Sequence, residues 1–192
     1  MAPLSGCRGD HVPSTGLPPH SHCDASPVVI ELFDFSDPHA VDAWRAIDDR
    51  VMGGISRSRL RHDLAGHAVF EGEVSLAQNG GFASVRSGPG ERGRAGATAC
   101  LVEVRGDTKQ FKLSLLTDDG FDSVNYQASF APDPYHWQTI SLPISSFRAS
   151  FRGRDMPDVP ALNPARIRQV GLMIAGRQTG PFALDIRRIG LA

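Results

Sequence analysis

The feature that most constrains this chain is a period-two alternation of apolar and polar side chains, repeated in short runs with turn residues between them. Phe111, Leu113 and Leu115 alternate with Lys112 and Ser114. Val124, Tyr126, Ala128 and Phe130 alternate with Asn125, Gln127 and Ser129. Val170, Leu172 and Ile174, then Phe182, Leu184 and Ile186, repeat the pattern near the C-terminus. In an extended strand successive side chains point to opposite faces, so each run is apolar on one side and wet on the other. Further strand-like runs cover residues 28–35, 69–76, 82–86 and 99–104, and a run over 137–142 is stopped by Pro143. Many short strands separated by Gly, Pro, Asn and Asp predict an all-β sandwich or barrel rather than an α/β fold. Helical signal is confined to a short helix begun by Ser36-Asp37-Pro38 and running to about Trp44, and a turn at Asn163-Pro164.

Residues 1–27 differ from the rest. They hold Pro3, Pro13, Pro18, Pro19 and Pro27 and few large apolar side chains. Such a segment buries too little to offset its ordering entropy and is predicted to be a disordered tail. Residues 28–192 are predicted to form one β-sandwich domain. Acidic and basic residues nearly cancel, at 21 against 20. No overall field steers the chain to nucleic acid or an anionic membrane, and no apolar run is long enough to insert into a bilayer. Three cysteines, Cys7, Cys23 and Cys100, do not make a disulfide framework. With no secretory or transit signal at the N-terminus, a reducing, cytoplasmic setting is expected. Only Lys109 and Lys112 are lysines. The remaining bases are arginines, whose planar forks suit carboxylate or phosphate.

Catalytic and cofactor patterns do not assemble. Gly88-Pro89-Gly90-Glu91-Arg92-Gly93 matches the letters of a dinucleotide fingerprint, but a strand follows it where a helix is needed, so it reads as a loop. His11, His20, His22, Cys7 and Cys23 have no zinc-site spacing. Thr117-Asp118-Asp119-Gly120-Phe121-Asp122 lacks the later bidentate Glu of a calcium loop and reads as a hairpin turn, with at most a loosely held cation. There is no GxSxG elbow, and His62, His67 and His136 have no assignable nucleophile. No cofactor or metal is expected. Asp48 and Asp49 could supply an acid and a base, yet adjacent residues on a strand diverge. The chain is read as a binding protein, not an enzyme.

Two segments remain. Asp48-Asp49-Arg50-Val51-Met52-Gly53-Gly54-Ile55-Ser56 follows Trp44, and its paired glycines imply a tight turn or a close backbone approach. Asp49 and Arg50 are expected to be exposed there. Gln78-Asn79-Gly80-Gly81-Phe82-Ala83-Ser84-Val85-Arg86 opens on a turn and continues as a strand. Together with Phe70-Glu71-Gly72, Tyr126, Trp137, Phe151-Arg152-Gly153-Arg154 and the segment from Gly180 to Ile186, they resemble the complex I intermediate-associated protein 30 family. The similarity spans residues 28–189. The resemblance implies a jelly-roll-like, galactose-binding-domain-like antiparallel β-sandwich. It also implies a non-catalytic role as assembly factor for respiratory NADH:ubiquinone oxidoreductase, complex I, with its subunits or intermediates as protein partners. The chain looks like a stand-alone bacterial member.

The expected binding rim takes Asp48, Asp49, Arg50, Gly53, Gly54 and Ser56 from the first segment. The second segment adds Asn79, Gly81, Phe82 and Arg86, and Tyr126, Arg152 and Arg154 complete it. Loops at the end of a sandwich are where binding residues usually sit. Convergence of Arg50, Arg86, Arg152 and Arg154 on one concavity favours an acidic protein segment or a phosphate-bearing ligand. The alternative is a module for carbohydrate or another small ligand, for which Trp44, Trp137, Tyr126 and Tyr135 are the candidate platforms. Tryptophan in a small sandwich is more often core.

Overall fold

The computed structural model describes residues 28–192. The predicted tail and its cysteine and histidine cluster lie outside the described residues. In chain order the strands are β1 (Ile30–Asp34), β2 (Trp44–Ala46), β3 (Arg57–Asp63), β4 (His67–Val74), β5 (Ala83–Ser87), β6 (Ala99–Gly106) and β7 (Phe111–Leu116). They continue with β8 (Asn125–Phe130), β9 (Gln138–Pro143), β10 (Arg148–Phe151), β11 (Arg154–Asp155), β12 (Gln169–Ile174) and β13 (Gly180–Leu191). One sheet has the order β3-β4-β13-β6-β9, with β1 also paired to β13. The other runs β11-β10-β8-β7-β12-β5-β2. Every pairing is antiparallel. The result is the expected all-β sandwich.

The alternation places the core between the sheets. Phe111, Leu113 and Leu115 of β7 are fully buried beside Val170, Leu172 and Ile174 of β12. From the facing sheet come Phe70 and Val74 of β4, Val102 and Val104 of β6, and Phe182, Leu184 and Ile186 of β13. Aromatic rings bridge the sheets at one end. Phe70 meets Phe182 at 4.9 Å and Phe111 at 6.3 Å, and Phe111 also meets Phe130 at 6.2 Å. Such tilted pairs add to the area they bury. At the other end Trp44 packs on Phe33 at 4.9 Å and Phe35 at 5.9 Å.

The structure departs from the sequence expectation in four places, each with a physical reason. The run ending at Ile186 continues to Leu191, because a bulge between Ile186 and Arg188 turns two successive residues outward and interrupts the visible alternation. β3 carries only one large apolar residue, Leu60. It is an edge strand held by cross-strand arginines, with Arg59 and Arg61 both paired to Glu71. The helix expected to reach Trp44 is a single turn, Pro38–Val41, capped by Asp37, after which the chain extends into β2. β10 and β11 form a tight hairpin in which Phe151 pairs with Arg154. Arg152 and Gly153 both adopt left-handed backbone (φ 49° and 76°), the pairing typical of a two-residue hairpin turn. The turn at Asn163-Pro164 is present as Pro164–Arg166, with Asn163 accepting from Ala165 N–H.

Phe111 sits where both sheets meet, so Phe111→Ala is expected to cost about 3–5 kcal/mol. Leu64→Ala, in the exposed β3–β4 turn, should be near neutral. Urea unfolding followed by tryptophan fluorescence measures both.

Candidate functional site

Asp48 and Asp49 are both buried, Asp49 completely. The exposure expected for Asp49 is therefore corrected. The one-turn helix Asp49–Met52 begins here and turns the two carboxylates into the end of the sandwich. Asp49 Oδ1 accepts from Ser56 N–H at 2.9 Å, and Oδ2 accepts from Ser56 Oγ–H at 2.5 Å, Gly81 N–H at 2.7 Å and Phe82 N–H at 3.3 Å. Asp48 accepts from Ser58 N–H at 3.0 Å, Ser58 Oγ–H at 2.5 Å and Ser84 N–H at 3.1 Å. Ser58 lies on β3 and Ser84 on β5, so Asp48 ties the two sheets together. The two carboxylates diverge, as adjacent residues must, and each finds its own set of donors.

These bonds explain the glycines. A Cβ on Gly54 would stand 2.3 Å from Asp49 Oδ1. A Cβ on Gly80 would stand 2.5 Å from Ser75 O and 2.7 Å from Asp49 Oδ2. The Asp49 carboxylate occupies the space that these two residues leave empty. Gly53 has a left-handed backbone (φ 91°) and ends the helical turn. Burial works against the charged form of Asp49, but bonds from Ser56, Gly81 and Phe82 outweigh it and hold its pKa below the ordinary carboxylate value. The Asp49 carboxylate is thus buried, kept ionised and held by four donors from three residues.

The outward residues of this loop are Arg50, Met52 and Ile55, all exposed. Met52 forms one lip of a groove of about 410 Å³ on the outer face of the second sheet. Its floor is built from the polar members of the strand alternation. They are Arg86 on β5, Lys112 on β7, Asn125 and Gln127 on β8 and Ser150 on β10, with Met173 of β12 among them. Phe121 of the β7–β8 connection and Arg152 of the β10–β11 turn also line the groove. Arg86 donates to Phe121 O at 2.9 Å and lies 5.9 Å from the Phe121 ring centre. Burial pushes its pKa below the ordinary arginine value despite the fields of Asp118 and Asp122. Lys112 Nζ donates to Gln127 Oε1 at 3.2 Å, and Gln127 Nε2 donates to Asn125 Oδ1 at 2.7 Å.

Of the expected rim residues, the structure brings Phe82, Arg86 and Arg152 to this one groove. Arg152 is paired there with Asp122. Arg50 and Arg154 are exposed away from it, and Asn79 is exposed on the turn Ala77–Asn79 with a left-handed backbone (φ 60°). Ser56 and Gly81 serve as donors to Asp49. Tyr126 is a core residue whose hydroxyl donates to Pro160 O at 3.0 Å. Lys112, Asn125, Gln127, Ser150, Phe121 and the two methionines were not anticipated. Alternation shows that β7 and β8 turn polar residues away from the core, but not that those strands lie side by side.

Other expectations resolve locally. Asp119 pairs with Arg168 at 2.8 Å, while Asp122 pairs with Arg152 and Asp118 accepts from Gly120 N–H. Residues 88–93 form a loop between β5 and β6. Cys100 is fully buried on β6, where burial pushes its thiol up to about 12. Trp44 is in the core, and Trp137 is half-buried between Arg187 at 4.0 Å and Arg105 at 5.0 Å. Neither indole offers a free face. Among the described residues no helix is long and apolar enough to cross a membrane.

A family model described as complex I intermediate-associated protein 30 matches residues 33–186. An uncharacterized protein of Schizosaccharomyces pombe is 28% identical over 169 residues, covering 76% of each chain. The fold is similar to the family 11 carbohydrate-binding module of a cellulosomal cellulase of Clostridium thermocellum, with a TM-score of 0.60. Identity there is 20%, over 85% of this chain and 94% of the module. The same type of module solved with a β-1,3-1,4-mixed-linked tetrasaccharide gives a TM-score of 0.58 at 20% identity, with 85% and 94% covered. At that identity the likeness concerns the fold alone.

Asp49→Asn puts an amide N–H₂ against backbone donors and should cost about 3 kcal/mol. The folded pKa of Asp49 is depressed, so its contribution is complete above the ordinary carboxylate value of about 3.9 and fades as pH falls through the lower folded value. Equilibrium unfolding in urea between neutral and strongly acidic pH should therefore show a steeper loss of stability in the parent than in the variant.

Proposed function

The chain belongs to the complex I intermediate-associated protein 30 family, and on that premise we propose that it is a non-catalytic assembly factor, binding subunits or intermediates of respiratory NADH:ubiquinone oxidoreductase in the cytoplasm. The observation that carries this reading is how the family-like motif is used. Its two carboxylates are consumed by seven internal hydrogen bonds. The motif therefore builds a rigid end to the sandwich, with Arg50, Met52 and Ile55 held outward. A rigid body with presented loops suits a binding protein. In this reading residues 28–192 act as one domain. Asp48, Asp49, Gly54, Ser56 and Gly81 position the surface, and Phe82, Arg86 and Arg152 belong to the surface that partners touch.

A second reading, a module for carbohydrate or another small ligand, is supported by the groove on the sheet face and by fold likeness. Against it stands the lack of a free indole, since flat aromatic platforms are what sugar rings stack on. Phe121, 67% exposed, is the more exposed of the two phenylalanines lining the groove, and Arg86 lies 5.9 Å from its ring centre.

Affinity purification of the tagged protein from its host should recover complex I subunits, and a deletion strain should contain less assembled complex I. Recovery of no such subunits together with normal complex I in the deletion strain overturns the assembly reading. Retention on a glycan panel in that case supports the second.

A further inference from the structure

The floor of the groove is cationic in an unusual way. Arg86 and Lys112 each stand without a carboxylate within 4.0 Å among the described residues, and their hydrogen bonds go to a carbonyl and an amide oxygen. Asp122, on the wall, is already spent on Arg152. Asp155 lies at one end, opposite Ser150. Between Arg86 and Ser114 the central strand places Gly171, which is buried, and the β12 side chain that reaches the floor is Met173. The result is a shallow trough with two underused cations. A half-buried guanidinium that feels Asp118 and Asp122 only as fields, with no direct ion pair, is a preformed site for an anion, because its desolvation cost is already met by the fold.

The lips are apolar and open. Met52 is 60% exposed and Phe121 67% exposed, both lining the trough, and Met173 lines it too. Thioethers adapt to apolar side chains of many shapes. Lys112 of β7 and Gln127 and Asn125 of β8 form a hydrogen-bonded chain, which puts both donors and acceptors on the floor.

We propose that this groove binds a short extended segment of a protein partner, one that places an Asp or Glu carboxylate on Arg86 and Lys112 and a neighbouring apolar side chain between Met52 and Phe121. The charge balance selects an acidic segment over a basic one, and the paired apolar lips select a peptide over a free phosphate. This rests on the reading of the protein as a binding factor for other proteins. It adds where the partner is held and by what chemistry.

The test is peptide selection on the purified protein, using a random phage-displayed library that contains no complex I component. Expected are binders that place Asp or Glu within two positions of Leu, Ile, Met or Phe. A synthetic copy should bind at least about tenfold more weakly to an R86M/K112M double variant; high salt should weaken binding to the parent and change binding to the double variant little. If circular dichroism shows that the double variant has not folded, Phe121→Ser in the exposed loop is read in its place, with the same loss expected. The inference is overturned by no enriched peptides, by binders that are basic or lack acids, or by affinity unchanged in the folded variant. It is equally overturned if a mixed-linkage glucan, and no peptide, binds in a way those substitutions abolish. Failure of the complex I purification with success here would remove the named partner and leave the groove chemistry standing. The reverse outcome would leave the assembly role and place contact elsewhere.

Discussion

Two adjacent carboxylates hold one end of this sandwich together. Asp48 bonds to Ser58 on one sheet and Ser84 on the other, while Asp49 gathers Ser56, Gly81 and Phe82 around one loop. Buried anions are costly unless hydrogen-bonded, and here backbone N–H groups and hydroxyls give three bonds to Asp48 and four to Asp49. The arrangement explains why the loop needs small residues on either side. It also accounts for the serines at positions 56, 58 and 84, which come from two separate stretches of chain, around the start of β3 and on β5. Removing one anion would strand several donors at once, which makes the cluster cooperative.

That inward commitment has an outward consequence. Because Asp49 pins the turn, Met52 is carried to the edge of the second sheet, where it forms a lip of the groove. Phe121 reaches the same groove from the β7–β8 connection, and Arg152 from the β10–β11 hairpin. Each of these loops is braced by its own contacts. Asp122 takes Arg152, Arg168 takes Asp119, and Arg86 takes the Phe121 carbonyl. The groove is thus preorganised, and a partner entering it would order few side chains.

Most of the fold was legible because most strands bury one face. β7, β8 and β12 announced themselves through alternation; burial follows it residue by residue in β8, while β7 and β12, central in their sheet, also bury Ser114, Gln169 and Gly171 from the other face. What escaped notice follows one rule. β3 is an edge strand whose outward positions are arginines, β2 and β11 are too short to show a period, and the second half of β13 is hidden by a bulge. In each case the strand is defined by its neighbours rather than by its own composition. The site was legible in a more limited way. The segments around Asp48 and Asn79 stood out, but their side chains divide between inward and outward work. Asp49 and Tyr126 turn in, Arg50 turns out, and Phe82, Arg86 and Arg152 reach the groove.

By itself, then, the sequence determined that this chain makes strands with one apolar face, that turns punctuate them, and that two glycine-rich segments carry unusual backbone. These are local properties, set by side-chain period and by the φ/ψ cost of each residue. Only the tertiary structure decided that β5, β12, β7, β8 and β10 lie side by side, and so that Arg86, Lys112 and Gln127 share one surface. Strand order is a non-local outcome of closing loops around a common core, and no window of sequence contains it. The same holds for the Asp48-to-Gly54 loop. Its glycines were visible in the sequence, but the Asp49 carboxylate that makes Gly54 necessary is placed by hydrogen bonds to residues up to 33 positions away.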